Sequence, residues 1–136
     1  MEPTSRMIDL PHDLEQEIAR EAARRGQTWS SVTTDLLTEA VRTRRVPGIV
    51  FGDGPTGRRA VVAGSGSDVW EVIATWQECG RSFESLRGNY DWLTEAQLRA
   101  ALRYYELYPE EIDARLDRER QWTPETIRVR IDFLTR

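Results

Sequence analysis

The sequence predicts a mainly α protein of two small units followed by a C-terminal tail, and three observations carry that prediction. Apolar residues recur at helical spacing over most of the chain. A stretch dense in glycine and proline, residues 46–57, reads as a linker between periodic regions at 1–45 and 58–108. With 136 residues, 39% hydrophobic and 31% charged, neither region can assemble more than a thin core, so burial supplied by a partner is expected.

The N-terminal unit opens with an extended signal, Ser5-Arg6-Met7-Ile8-Asp9-Leu10-Pro11, in which Ile8 and Leu10 share one face and Met7 and Asp9 the other. A helix is predicted over 12–25, because Leu14, Ile18 and Ala22 make one stripe and Gly26 stands where a left-handed cap belongs. A second helix follows, with Thr28 or Ser30 as its N-cap. Its apolar face is Val32, Leu36, Leu37, Ala40 and Val41, and Arg42, Arg44 and Arg45 complement its C-terminal dipole. A lone strand ahead of two helices leaves its backbone groups unpaired, so it requires a partner strand, and the simplest source is a second copy.

Ile8-Asp9-Leu10-Pro11-His12-Asp13-Leu14 and Gly26-Gln27-Thr28-Trp29-Ser30-Ser31-Val32 resemble, in that order, the strand-Pro-x-x-Leu junction and the Gly-x-Ser/Thr-x-Ser turn of the ribbon-helix-helix family of dimeric regulators. The resemblance implies a homodimer whose swapped two-stranded ribbon enters the major groove of operator DNA. The groove-facing residues are then Ser5, Met7 and Asp9, with Met7 on a thymine methyl and Asp9 accepting from cytosine. Arg6 and the helix amides near Thr28 and Ser30 are the phosphate contacts, with Arg24 and Arg25 nearby. Asp9 departs from a DNA-reading pattern, since phosphates repel a carboxylate and no arginine faces the groove. A plain dimerisation clasp is the alternative.

In the second unit, residues 58–64 read as a short buried strand or extended lead-in. Asp68 caps a helix with Val69, Val72, Ile73 and Trp76 on one face, closed by Gly80. Residues 82–86 make a short helix, and Thr94-Glu95-Ala96-Gln97 is a capping-box pattern opening a third, with Leu98, Ala101, Leu102 and Tyr105 inward. Three short helices joined by tight turns predict a small winged-helix or helix-turn-helix-like module. Four segments carry a resemblance to the family called domain of unknown function 433. They are Val61-Val62-Ala63-Gly64-Ser65, then Val69-Trp70-Glu71-Val72-Ile73, then Cys79-Gly80-Arg81-Ser82-Phe83-Glu84-Ser85-Leu86, then the run from Leu93-Thr94 to Tyr104-Tyr105. Where that family has Thr-Arg-Ile-Pro after its glycine, this chain has Ser65-Gly66-Ser67-Asp68, so the family's arginine is missing. The family is similar to antitoxins that neutralise PIN-like ribonucleases.

The tail, 109–136, begins with a short charged helix containing Ile112 and Leu116. Beyond Trp122, the alternation of Ile127, Val129, Ile131 and Phe133 with Arg128 and Arg130 is a strand signal, while Thr123-Pro124-Glu125 also suits a helix start. As a strand, it can add to the edge of a partner's sheet with its arginines on carboxylates. Trp122, Ile127, Arg128, Val129, Arg130, Ile131, Phe133 and Arg136 are therefore the candidate toxin-binding residues, and Arg128, Arg130 and Arg136 are the ones expected to reach a nuclease's acidic centre. The alternative is that the strand folds back on its own chain or on a sister protomer.

Several classes are excluded. A net charge of −4 does not suit a general nucleic-acid coat. One cysteine, Cys79, and one histidine, His12, allow no internal disulfide and no zinc cage, and neither forms a nucleophile–base pair. No metal, cofactor or catalytic residue is expected, and neither is an enzyme. The lack of a long apolar run or a basic-then-apolar leader places the expected location in the cytoplasm. The expected function is that of a homodimeric antitoxin that silences a PIN-like ribonuclease by direct binding and represses its own operon through operator DNA. A stand-alone dimeric regulator and a dimerisation adaptor without DNA binding are the alternatives.

Overall fold

The computed structural model describes residues 2–55 and 57–122 together with 128 and 131. Its contacts divide the chain into two compact units, Met1–Val41 and Arg42–Arg136. The helices are α1 (His12–Arg25), α2 (Trp29–Arg45), α3 (Val69–Glu78), α4 (Phe83–Asn89), α5 (Glu95–Leu107) and α6 (Pro109–Arg120), and the strands are β1 (Ile49–Gly54) and β2 (Gly57–Val62).

This corrects the predicted fold class. The protein is helix-rich, but two helices precede the two-stranded antiparallel sheet, and among the described residues no ribbon-helix-helix stands at the N-terminal end. Residues 5–11 form no strand. They run as irregular backbone that is mostly exposed, and only Leu10 packs on the small core of Ile18, Ala22 and Val32. The alternation of side chains there is real, but a strand needs a neighbour for its amides and carbonyls. Among the described residues, the only ladder joins β1 to β2.

In the first unit, α1 ends as predicted. Gly26 adopts a left-handed φ of 65°, its amide donates to the Ala22 and Ala23 carbonyls, and Gln27 N donates to the Ala22 carbonyl at 3.0 Å. Glu21 receives Arg24 and Arg25 at 2.5 and 2.7 Å, and those two hydrogen bonds pull its carboxyl down to about 2. Thr28, not Ser30, caps α2, its hydroxyl accepting from Ser31 N at 3.1 Å.

In the second unit, the 46–57 stretch expected to be a linker contains β1. Its glycines and proline mark a hairpin turn, because β1 pairs with β2 from Ile49 opposite Val62 to Gly54 opposite Gly57, and Gly57 sits at φ 120°. The strand signal was hidden because Ile49, Val50 and Phe51 are consecutive apolar residues followed by Gly52-Asp53-Gly54, so no alternation shows. The sheet and the helices enclose a core that includes Ile49, Val62, Val72, Ile73, Leu86, Leu98, Tyr104, Ile112 and Leu116. Each buried Leu or Ile of this kind contributes roughly 1.5–3 kcal/mol. The capping box at Thr94 and Gln97 is complete in both directions.

Candidate partner-binding site

Each unit presents one surface that its own packing leaves unfinished. In the first unit, the buried core is Ile18, Ala22 and Val32, while Met7 is 100%, Ile8 70%, Leu37 57% and Val41 56% exposed. The reason lies in the helix periodicity. Val32 and Leu36 face α1, but Leu37 and Val41 sit about 100° or more around α2 from that seam, and no second layer covers them. Arg25 adds a further deficit. Its Nε is bound to Glu21, yet its buried Nη1 has no hydrogen-bond partner among the described residues.

The second unit has a cleft between β2, α3 and α6. Arg59, on β2, donates from Nε to Asp68 Oδ1 at 2.7 Å and from Nη1 to the Asp53 carbonyl at 2.5 Å. The other Asp68 oxygen accepts from the Trp70 indole at 3.0 Å. Asp68 does occupy the N-cap position of α3, as predicted, but its carboxylate makes no cap bond because Arg59 and Trp70 take both oxygens. Arg115 of α6 lies 4.7 Å from the centre of the Trp70 ring and donates to Glu119 at 2.8 Å. Arg58 reaches Asp53 at 3.1 Å, and Arg118 completes the wall of a cleft of about 50 Å³. Beyond Trp70, a larger groove of about 410 Å³ continues between α3 and α6, lined by Ala74, Gln77, Leu116 and Glu119. Burial and the nearby Asp68 raise the Glu71 carboxyl above its ordinary value.

A second polar cluster is internal to this unit. Arg42 Nη1 donates to Tyr104 Oη at 2.9 Å and to Glu111 Oε2 at 2.8 Å, and Tyr104 donates to the same carboxylate oxygen. The Arg42 guanidinium also lies 4.3 Å from the Tyr108 ring centre. Burial, followed by the bond to Glu111, pushes the Tyr104 phenol up. Arg42 Nη1 and the Tyr104 hydroxyl share the Glu111 carboxylate, so the cluster reads as a clamp between Arg42, α5 and α6.

The residues expected to contact DNA are not gathered into one site. Ser5, Arg6, Met7 and Asp9 are exposed on irregular backbone, Thr28 Oγ1 is occupied by Ser31 N, and Ser30 is exposed in the first turn of α2. Of the expected toxin-binding residues, Trp122 is exposed just beyond α6, its amide bonded to the Glu119 carbonyl at 3.1 Å. Arg128 and Ile131 are helical and exposed, so the alternating strand does not describe those two positions. Ile127, Val129, Arg130, Phe133 and Arg136 lie outside the described residues. Sequence reasoning missed the cleft. Arg58-Arg59 and the Arg115, Arg118 pair at i, i+3 were visible, but nothing in one dimension joins β2 to α6 across Trp70.

Among the described residues, no cluster of three His, Cys, Asp or Glu side chains suits a metal ion. None of the described helices is long and apolar enough to cross a membrane.

Comparison with known proteins places the second unit. Residues 49–105 match the model of a family described as protein of unknown function, DUF433. A solved structure, that of a DUF433 member protein from Anabaena variabilis ATCC 29413, shares 30% identity with this chain. The match covers 62% of this chain and 81% of that one, with a TM-score of 0.44. No curated protein matches the chain.

Proposed function

The chain belongs to the DUF433 family through residues 49–105, and we propose that it is a non-catalytic antitoxin that pairs with a second copy of itself and silences a PIN-like ribonuclease by direct binding. The observation that carries this reading is the exposed apolar surface of the first unit. Covering a Leu or Val side chain contributes roughly 1.5–3 kcal/mol, so covering Leu37, Val41, Ile8 and Met7 supplies the stability that a three-residue core lacks. The self-association proposed here uses the helical faces and no swapped ribbon. The nuclease-binding part rests on the tail, where Trp122, Arg128 and Ile131 are all exposed.

Operator binding and repression of its own operon belong to the same proposal, through Arg6 and the start of α2. A second reading, an adaptor that binds no DNA, is favoured by the occupied Thr28 hydroxyl and by Asp9. Expressing the tagged chain with its adjacent genes and identifying what co-purifies tests the main reading. A stoichiometric small nuclease with silenced activity supports it, and a clean homodimer with no nuclease overturns it. Salt-dependent retention of promoter DNA separates the regulator from the adaptor.

A further inference from the structure

We propose that α2 pairs with α2 of a second copy in antiparallel register, with Leu37 on the twofold axis, so that Val41 of each chain packs on Thr33 of the other. The inference rests on the reading that the protein self-associates. It commits that reading to one helix, one direction and one register.

The order of residues on the exposed face selects the partner. α2 has 17 residues, and the exposed Leu37 is the ninth, at the midpoint of the helix. At about 100° per residue, Thr33, Thr34, Ala40 and Val41 all lie within about 60° of Leu37 around the helix. Outward from Leu37 this face reads alike in both directions. Three positions away stands a small residue, Thr34 or Ala40, and four positions away a β-branched one, Thr33 or Val41. In a twofold interface residue i meets j while j meets i, and a face with this mirror pattern meets that condition in the antiparallel register. An unrelated partner puts no such demand on the sequence.

The face is also prepared to lose its water. Asp35 and Glu39 fall about 160° around the helix from Leu37, and Ser30, Thr33, Thr34, Leu37, Ala40 and Val41 carry no charge. A nucleic-acid strand or an anionic lipid surface would need arginines there. The Thr33 hydroxyl donates to the Trp29 carbonyl at 2.7 Å, and the Thr38 hydroxyl at the border of the face donates to the Thr34 carbonyl at 2.7 Å. Both are satisfied within their own helix, so covering them leaves no donor stranded. The small side chains of Thr34 and Ala40 beside Leu37 let two helix axes approach to about 8–10 Å.

The test is sedimentation equilibrium on the full chain and three variants. Thr33→Glu and Val41→Arg each bury an unpaired charge on both sides of the axis, and each should raise the dissociation constant at least about tenfold. In the double variant, each new carboxylate meets a new guanidinium of the other copy, so association should recover to within about threefold of the parent. The two positions are too far apart on one helix to pair within a chain. Parallel pairing would set like charges opposite one another and make the double variant the weakest. Circular dichroism checks helix content, and a second measurement avoids buried charge altogether. In a Cys79→Ser background, Thr33→Cys and Val41→Cys chains should form an oxidised dimer when mixed and none when alone. A double variant no tighter than the singles, singles that associate like the parent, or cross-linking of either cysteine variant with itself would each overturn this pairing and leave self-association through another face standing. Singles that still self-associate but no longer carry the co-purifying nuclease would assign the face to the nuclease and overturn the pairing too. A parent chain that stays monomeric at millimolar concentration overturns the pairing and the self-association reading together.

Discussion

The two units are made from the same parts, amphipathic helices with glycine-rich turns, and reach different degrees of closure. The Arg42–Arg136 unit buries fifteen apolar side chains among its described residues, whereas the Met1–Val41 unit buries three and leaves one arginine nitrogen buried without a partner. Two helices meet along a single seam, so half of each apolar face stays in water. A hairpin with four helices packs from several directions and closes around its core. The difference shows where the proposed self-association would act: the second unit closes around its own core, and the first leaves apolar side chains exposed.

The largest effect that can break this comparison is in the closed core. Leu98→Ala should cost about 2–5 kcal/mol, lowering the second unit's transition by calorimetry, whereas Val32→Ala should cost only about 0.5–3 kcal/mol and act on the first unit. Equal costs would mean that the units are equally packed. Next, Leu37→Glu with Val41→Glu should abolish self-association in sedimentation. Losing two covered side chains at roughly 1.5–3 kcal/mol each raises the dissociation constant by more than a hundredfold. The second unit's melting should not move. Unchanged association would show that these faces are not the interface.

Smaller changes sharpen the contrast. Asp68→Asn removes a charged acceptor from the part-buried Arg59 and should cost about 1.5–3 kcal/mol in chemical denaturation. Thr94→Ala, which opens the capping box of α5, should cost about 1 kcal/mol. The smallest effects are the pH responses, and they differ in sign between the units. Glu21, held at about 2 in the folded unit against an ordinary 4.5, stabilises above pH 4.5, and that contribution disappears as pH falls from 4.5 towards 2. Glu71 is raised by burial, so its contribution is greatest below pH 4.5 and is lost as pH rises through the folded value. Glu21→Gln should therefore remove acid sensitivity from the first unit's helicity, and Glu71→Gln should slightly stabilise the second unit at pH 7. A shared sign would contradict the assigned causes.

The helices were legible because each carries its own signals. Gly26 in the left-handed region, Thr94 with Gln97, and the Val69, Val72, Ile73 stripe all act within one or two turns, and each appears where the spacing predicted it. The strands were less legible. Residues 5–11 alternate and yet join no strand ladder among the described residues, while 49–54 do not alternate and form β1, because strand identity depends on a neighbour distant along the chain. The match to DUF433 shows the same thing from another side, starting at residue 49 inside the stretch first read as a linker.

The candidate site divides in the same way. That Arg58, Arg59, Arg115 and Arg118 carry the charge, and that Trp70 is a large ring close to Asp68, is plain in the sequence, as are the apolar faces of α1 to α6. Only the tertiary structure decided that Asp68 gives its carboxylate to Arg59 and Trp70 instead of to the α3 amides, and that Arg115 stacks on that ring. Local hydrogen bonds and helical periodicity are properties of neighbouring residues. Convergence of β2, α3 and α6 on one cleft is a property of how the core packs, and that core draws its buried side chains from all three.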